Sequence, residues 1–218
     1  MNHLEKEIIR YLGYGANRPD ETIKKLILEC MEELKNTVRP RSLWRRFPLV
    51  FADEGNLCFA GMEAESWHLA KNLTNCGEVL LFAATLGAEA DVLIKRYSKT
   101  DMAKAVVLQA AAAAMLEYYC DMRQKEIAEE LRKEGKHLRP RFSPGYGDFS
   151  IEHQKHILLA LECGKKIGLS MTDGFMLTPA KSITAVIGVA IGEENCPVEG
   201  CESCQKRDCA FRRDETLC

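Results

Sequence analysis

Apolar positions recur along the chain with two different periods. Over residues 20–35, Ile23, Leu26, Ile27, Cys30, Met31 and Leu34 fall at i, i+3, i+4, i+7, i+8 and i+11. That is the single stripe of an amphipathic helix, and Pro19 and Asp20 mark its start. The short apolar runs 48–51 and 57–60, separated by Asp53, Glu54 and Gly55, predict a hairpin. A helix is predicted over 63–73 and a buried strand over 78–85, ending at Gly87. The longest element is a helix from about 101 to 134, rich in Ala, Leu, Met, Glu and Lys. Its first half, 103–116, is apolar nearly all round and is expected to be buried. Its charged second half is expected to reach solvent. The segment 137–150 is too rich in proline and glycine for a regular element. Ser150 is expected to cap a helix running to about 166, followed by strands over 175–179 and 182–191. Helices and strands mix without a βαβ rhythm, which predicts an α+β fold.

Composition narrows the function classes. The 218 residues include 30 basic and 32 acidic side chains, for a net charge of -2. That balance argues against nucleic-acid binding driven by bulk charge. No run reaches the ~18 apolar residues of a membrane span. The opening MNHLEKEIIR lacks the apolar core of a signal peptide. The expectation is a cytoplasmic protein with no membrane and no nucleic-acid partner. Arg39–Arg46, with Trp44, reads as a solvated or protein-docking face.

Cysteine is unusually frequent, at 10 residues. Cys30, Cys58, Cys76, Cys120 and Cys163 are scattered and read mostly as small core hydrophobes. Cys196, Cys201, Cys204 and Cys209 are spaced x4, x2, x4 near the C-terminus, with Cys218 beyond them. In a reducing compartment this reads as a metal site before a disulfide set. Four thiolates hold either zinc or an iron–sulfur cluster. The single tight Cys-x-x-Cys pair leans the choice toward iron–sulfur and leaves zinc open. His153 and His156, at i and i+3, read as a solvated helix face, since no further ligand is spaced to help.

Outside the tail, the richest chemistry lies at 139–150. Arg139 and Arg141 flank Pro140, and Phe142-Ser143-Pro144-Gly145-Tyr146-Gly147-Asp148 follows. The glycines permit close backbone approach, Arg141 offers a carboxylate a forked pair, and Tyr146 offers a flat face. The plainer alternative is a rigid surface turn.

The run RxxPGYGDFSxxHQ at 141–154 and LTPAKSITAVIG at 177–188 resembles the C-terminal activation domain of cobalamin-dependent methionine synthase. The matching positions are Arg141, Gly145 and Tyr146, then Pro179, Ser182 and Gly188. The resemblance covers roughly 80–192, and RYLGY at 10–14 and ATLGAEAD at 84–91 fit small stand-alone versions. It implies an α+β single domain with a twisted, largely antiparallel sheet flanked by helices, one of them long and central; the cysteine-rich tail is an addition that the family domain lacks. The corresponding division is 1–75 as a helical and hairpin region packed on the main domain, 76–192 as the activation-like core, and 193–218 as the tail. It further implies S-adenosylmethionine binding, with Arg141 on the methionine carboxylate. Ser143 and Gly145 would give backbone contacts, Tyr146 would lie near ligand and docked corrin, and Glu117 would be the acidic partner on the long helix. No methyl-acceptor, folate or cobalamin-binding motif accompanies these residues. The implied role is therefore an activation subunit for a separate corrinoid methyltransferase, such as a split methionine synthase, fed by a flavodoxin or ferredoxin. The cobalamin would belong to the partner. An iron–sulfur or zinc adaptor that docks a partner without binding S-adenosylmethionine is the alternative.

Overall fold

A computed structural model describes residues 3–15, 17–53 and 55–192. Two helices open the chain, α1 (His3–Tyr11) and α2 (Glu21–Thr37), and Asp20 caps the second by accepting from the Ile23 N–H at 2.8 Å. Strand β1 (Arg41–Asp53) is much longer than the predicted 48–51 run. Its arginine-rich half pairs with β4, Arg41 standing opposite Thr85. Charge hid this half of the strand, because arginines such as Arg46 turn out to Glu134 (2.7 Å) and Glu78 (3.4 Å) while their backbone stays in the ladder. The hairpin partner β2 (Asn56–Phe59) follows as expected.

The predicted helix over 63–73 is corrected. It divides into strand β3 (Met62–Glu65) and helix α3 (Trp67–Asn72). Met62 and Ala64 are buried while Glu63 and Glu65 are exposed, a two-residue alternation that a helix cannot satisfy. Ser66 sets the boundary, its Oγ accepting from the Leu69 N–H at 3.0 Å. Strand β4 (Cys76–Thr85) leads into a helix that the sequence reading lacked, α4 (Ala88–Thr100), which buries Ala90, Leu93 and Ile94. The long helix α5 (Met102–Arg132) is capped by Asp101. Ala105, Leu108 and Ala112 are buried as expected, but Val106 stands exposed.

Strand β5 (Lys136–Leu138) comes next, and the expected single helix over 150–166 is two: α6 (His153–Ala160) and α7 (Cys163–Ile167). Glu162 breaks them apart in the left-handed region at φ 55°. Leu161 and Cys163 both enter the same core. On a continuous helix these positions point about 200° apart, so the break is what buries both. Ser150 is not the cap of α6, whose N-cap position is Glu152 with no side-chain cap; the Ser150 Oγ accepts from the Glu152 N–H at 3.3 Å in the turn before it. Only 177–178 of the predicted 175–179 strand is extended, as β7 (Leu177–Thr178) against β6 (Ser170–Met171). Strand β8 (Ser182–Ile191) closes the described chain.

The main sheet has the order β3-β2-β1-β4-β8-β5, and all its pairings are antiparallel. Strands β4 and β8 are covered on both faces. On β4, Leu80, Phe82 and Ala84 enter a core with α1, α2, α4 and α5. Val79, Leu81 and Ala83 enter a second core with β2, β3, α3, α6 and α7. Burial on both faces explains why 79–84 reads as an unbroken apolar run. The fold is thus α+β, a single domain built on a largely antiparallel sheet with one long helix lying across it. No helix among the described residues is long and apolar enough to cross a membrane.

Gly188 packs closely against residues of three neighbouring segments. A Cβ there would lie 2.6 Å from Cys76 Sγ, 2.8 Å from Leu73 Cδ2 and 2.9 Å from Arg139 Cγ. Gly188→Ala is therefore expected to lose about 1–3 kcal/mol by overpacking. Urea unfolding followed by circular dichroism checks this, as a lower midpoint at unchanged slope.

Candidate functional site

Helix α5 carries Glu117, Asp121 and Gln124 at i, i+4 and i+7, along one face. The chain after β5 is held against the free edge of β8. The Arg139 N–H donates to Gly188 O at 2.8 Å, and Phe142 and Val186 exchange backbone bonds at 2.9 and 2.8 Å. These contacts place Arg141 opposite the α5 face. Its Nη2 donates to Asp121 Oδ1 at 2.7 Å and Glu117 Oε2 at 3.0 Å, and its Nη1 donates to Gln124 Oε1 at 2.8 Å. Only 15% of the Arg141 side chain is exposed. Burial works against its charge, but the Asp121 hydrogen bond and the Asp121 and Glu117 charges outweigh it, so its pKa lies above the ordinary arginine value. Three bonds use three of the five guanidinium N–H donors. Two carboxylates against one guanidinium leave one net negative charge.

This wall belongs to a cleft of about 790 Å³, a size suited to a small molecule. The cleft draws its lining from both layers. Leu116 and Ile183 come from the first core, Phe142 and Leu177 from the second. Its polar floor is built around Gln154 on α6. The Gln154 amide donates to Phe175 O at 2.8 Å and accepts from Thr184 Oγ1 at 3.3 Å. Beside it, Ser182 Oγ donates to Pro179 O at 2.6 Å.

The structure brings Glu117, Arg141, Ser143 and Tyr146 to this one cleft. Tyr146 is 68% exposed. Gly145 is not among the lining residues. It acts within the loop, at φ 91°, with its N–H donating to Phe149 O at 2.7 Å. Asp121, Gln124, Gln154 and Thr184 line the cleft and were not singled out from sequence. The i, i+4, i+7 spacing of polar residues on α5 was the available signal for the first two. Cys196, Cys201, Cys204 and Cys209 lie outside the described residues. Of the scattered cysteines, Cys30, Cys76, Cys120 and Cys163 are buried and Cys58 is half-buried. Burial pushes the Cys120 thiol, directly behind the Arg141 wall, up to about 12. His153 stacks on Phe149 with ring centroids 4.9 Å apart, and burial lowers its pKa. Among the described residues, no three His, Cys, Asp or Glu side chains come together to hold a metal.

The loop is clamped from outside the cleft by Asp148. Its carboxylate accepts from Ser66 Oγ at 2.5 Å, the Trp67 N–H at 2.8 Å and the His68 N–H at 3.2 Å. Gly147, at φ 56°, makes room for this clamp, because a Cβ there would lie 2.8 Å from His68 Nδ1. The Ser66 hydrogen bond and the two backbone N–H groups hold the Asp148 carboxyl at about 2, below its ordinary 3.8.

No protein-family model matches the chain, and no curated protein matches it. Among solved structures, the chain is similar to the crystal structure of the MetH reactivation domain bound to AdoHcy. The TM-score is 0.59 at 15% identity, over 90% of this chain and 79% of that one. The two share a fold.

Asp148 has a folded-state pKa below its ordinary one, so its contribution is present above about pH 4 and is lost as the pH falls through about 2. Hydrogen exchange at the Trp67 and His68 amides is expected to quicken several-fold in Asp148→Asn. The same amides in the wild-type chain are expected to lose protection over that pH interval. Unchanged exchange in the variant would show that the clamp does not hold the loop.

Proposed function

We propose that the chain is an S-adenosylmethionine-binding activation module that supports reductive remethylation of an inactive corrinoid on a separate protein. The observation that carries this reading is the Arg141 wall, set between Glu117 and Asp121 in a small-molecule cleft of a fold shared with a reactivation domain. S-adenosylmethionine presents an ammonium, a sulfonium and a carboxylate, with one net positive charge. A wall with one net negative charge complements it. Arg141 meets the carboxylate with the donors its internal bonds leave over. Glu117 and Asp121 face the cationic centres. Ser143 provides backbone contact, and Gly145 acts through the turn it permits. Tyr146, exposed at the cleft, offers an aromatic surface to the docked corrin.

The bound S-adenosylmethionine supplies the methyl group that traps the reduced corrin. The chain's own residues bind and orient it, and no general acid or base is required. The electrostatic wall also distinguishes substrate from product, because loss of the methyl group removes the sulfonium charge and with it part of the attraction. The partner in this reading is a cytoplasmic corrinoid methyltransferase of the methionine synthase type, which brings the cobalamin. A flavodoxin or ferredoxin supplies electrons. Neither nucleic acid nor membrane is part of the assembly. Cys196, Cys201, Cys204 and Cys209 form the proposed metal site, for an iron–sulfur cluster or zinc.

Titration calorimetry of anaerobically purified full-length chain with S-adenosylmethionine tests the reading. Saturable binding is expected. Arg141→Ala is expected to weaken it about 10- to 100-fold, corresponding to the ~1.5–3 kcal/mol of a charged hydrogen-bond partner. Glu117→Gln combined with Asp121→Asn is expected to shift affinity away from S-adenosylmethionine relative to S-adenosylhomocysteine. Absence of binding to the wild-type chain would favour the adaptor reading.

A further inference from the structure

The outer edge of β8 runs out of pairing partners inside the cleft. Val186 exchanges both backbone bonds with Phe142, and Gly188 O accepts from the Arg139 N–H. Backbone groups alternate between the two edges of an antiparallel strand. The even-numbered residues of β8 therefore turn their N–H and C=O away from β4. Lys181, an odd-numbered neighbour, instead accepts on the β4 side, from the Leu86 N–H at 2.9 Å. Ser182 and Thr184 continue the even series. Two residues beyond Phe142, Pro144 would stand opposite Thr184, and proline has no N–H to give. The chain turns there instead, with the Tyr146 N–H donating to Ser143 O at 3.1 Å. Among the described residues, no backbone bond reaches Ser182 or Thr184 from this edge. Both residues line the Arg141 cleft, and Thr184 is buried. The Thr184 hydroxyl is turned to Gln154, so the edge itself presents main-chain groups.

Buried backbone groups need partners, and what fills the cleft supplies them here. The Ser182 C=O and the Thr184 N–H lie two residues apart on one edge, an acceptor beside a donor. A flat partner that continues the ladder lies in the plane of the sheet. The apolar lining comes from the cores on the two faces of that plane, Leu116 and Ile183 from the first, Phe142 and Leu177 from the second.

We propose that the open edge of β8 reads a 6-aminopurine ring through its backbone. The Ser182 C=O accepts from the exocyclic amine, and the Thr184 N–H donates to the neighbouring ring nitrogen, N1. This rests on the S-adenosylmethionine reading of the cleft given above. It assigns the base end of that ligand, as the Arg141 wall takes the amino-acid end. Recognition of this kind selects by polarity. A 6-oxopurine carries a carbonyl in place of the amine and a hydrogen on N1. Acceptor would then meet acceptor, and donor would meet donor.

Calorimetry on the full chain compares S-adenosylmethionine with its inosine and 7-deazaadenosine counterparts, which differ from it only in the base. The inosine compound is expected to bind about 10- to 100-fold more weakly, because both buried backbone groups lose their partners. The 7-deaza compound keeps the amine and N1 and is expected to bind as tightly as S-adenosylmethionine. In amide-resolved NMR spectra at saturation, the Thr184 amide proton is expected to move downfield with S-adenosylmethionine and with the 7-deaza compound. Equal affinity for the inosine compound overturns the proposal. So does a 7-deaza compound bound as weakly as the inosine one, which would put the opposite edge of the base at the site. A Thr184 amide that saturating S-adenosylmethionine leaves unmoved overturns it as well. These three outcomes leave the cleft reading standing. A wild-type chain that binds none of the compounds removes the cleft reading, and the base assignment falls with it.

Discussion

Strand β8 is enclosed on every side, and the rest of the molecule is arranged around that requirement. Residues 184–190 are all buried. One edge is satisfied by β4, the other by β5 and then by Arg139 and Phe142. Its faces feed two separate cores, Ile187 and Val189 into one, Val186 and Ala190 into the other. A strand in this position must have its backbone groups paired, since an unpaired buried amide costs about 1–3 kcal/mol. The segment after β5 therefore has little choice of path. It follows the β8 edge although prolines prevent it from continuing as a regular strand. That path brings Arg141 to α5. The meeting of a guanidinium with Glu117 and Asp121 follows from sheet pairing.

Once there, the guanidinium stabilises its own surroundings. A buried charge deprived of its partner is costly, so neither the arginine nor its carboxylates can be lost singly without penalty. The surplus of one carboxylate leaves the cleft wall with a net negative charge. Of the two, Asp121 is the more exposed, at 50% against 34% for Glu117. The Asp121 half of the pair is therefore the more screened by water.

Elements dominated by one strong period were legible in the sequence. The stripe of α2 and the helix-rich composition of α5 were visible, as were the uncharged runs of β4 and β8. What escaped depended on partners far along the chain. The arginines of β1 concealed a strand whose pairing with β4 is decided by residues far along the chain, from Arg41 opposite Thr85 to Pro48 opposite Glu78. β3 is four residues long and became a strand only because β2 lies beside it. Residue Glu162 adopts the left-handed conformation because two neighbours must share one core. The site shows the same division. Arg141, Ser143 and Tyr146 form a local motif. Gln154 and Thr184, thirty residues apart, meet only across the packed sheet. Gly145 belonged to the motif, but its part is to shape the loop that presents the others.

Helix α5 serves both the core and the cleft. At 1.5 Å per residue it is about 46 Å long, and Asp121 lies about 20 Å along it from Leu108. Leu108 and Ala112 are clamped in the helical core, whereas Glu117 and Asp121 stand at the wall of the cleft. The clamp continues past the cleft, where Cys120, Ile127 and Leu131 are buried in the same core. The helix is therefore a beam held at both ends, and the polar face that meets Arg141 sits on its supported span.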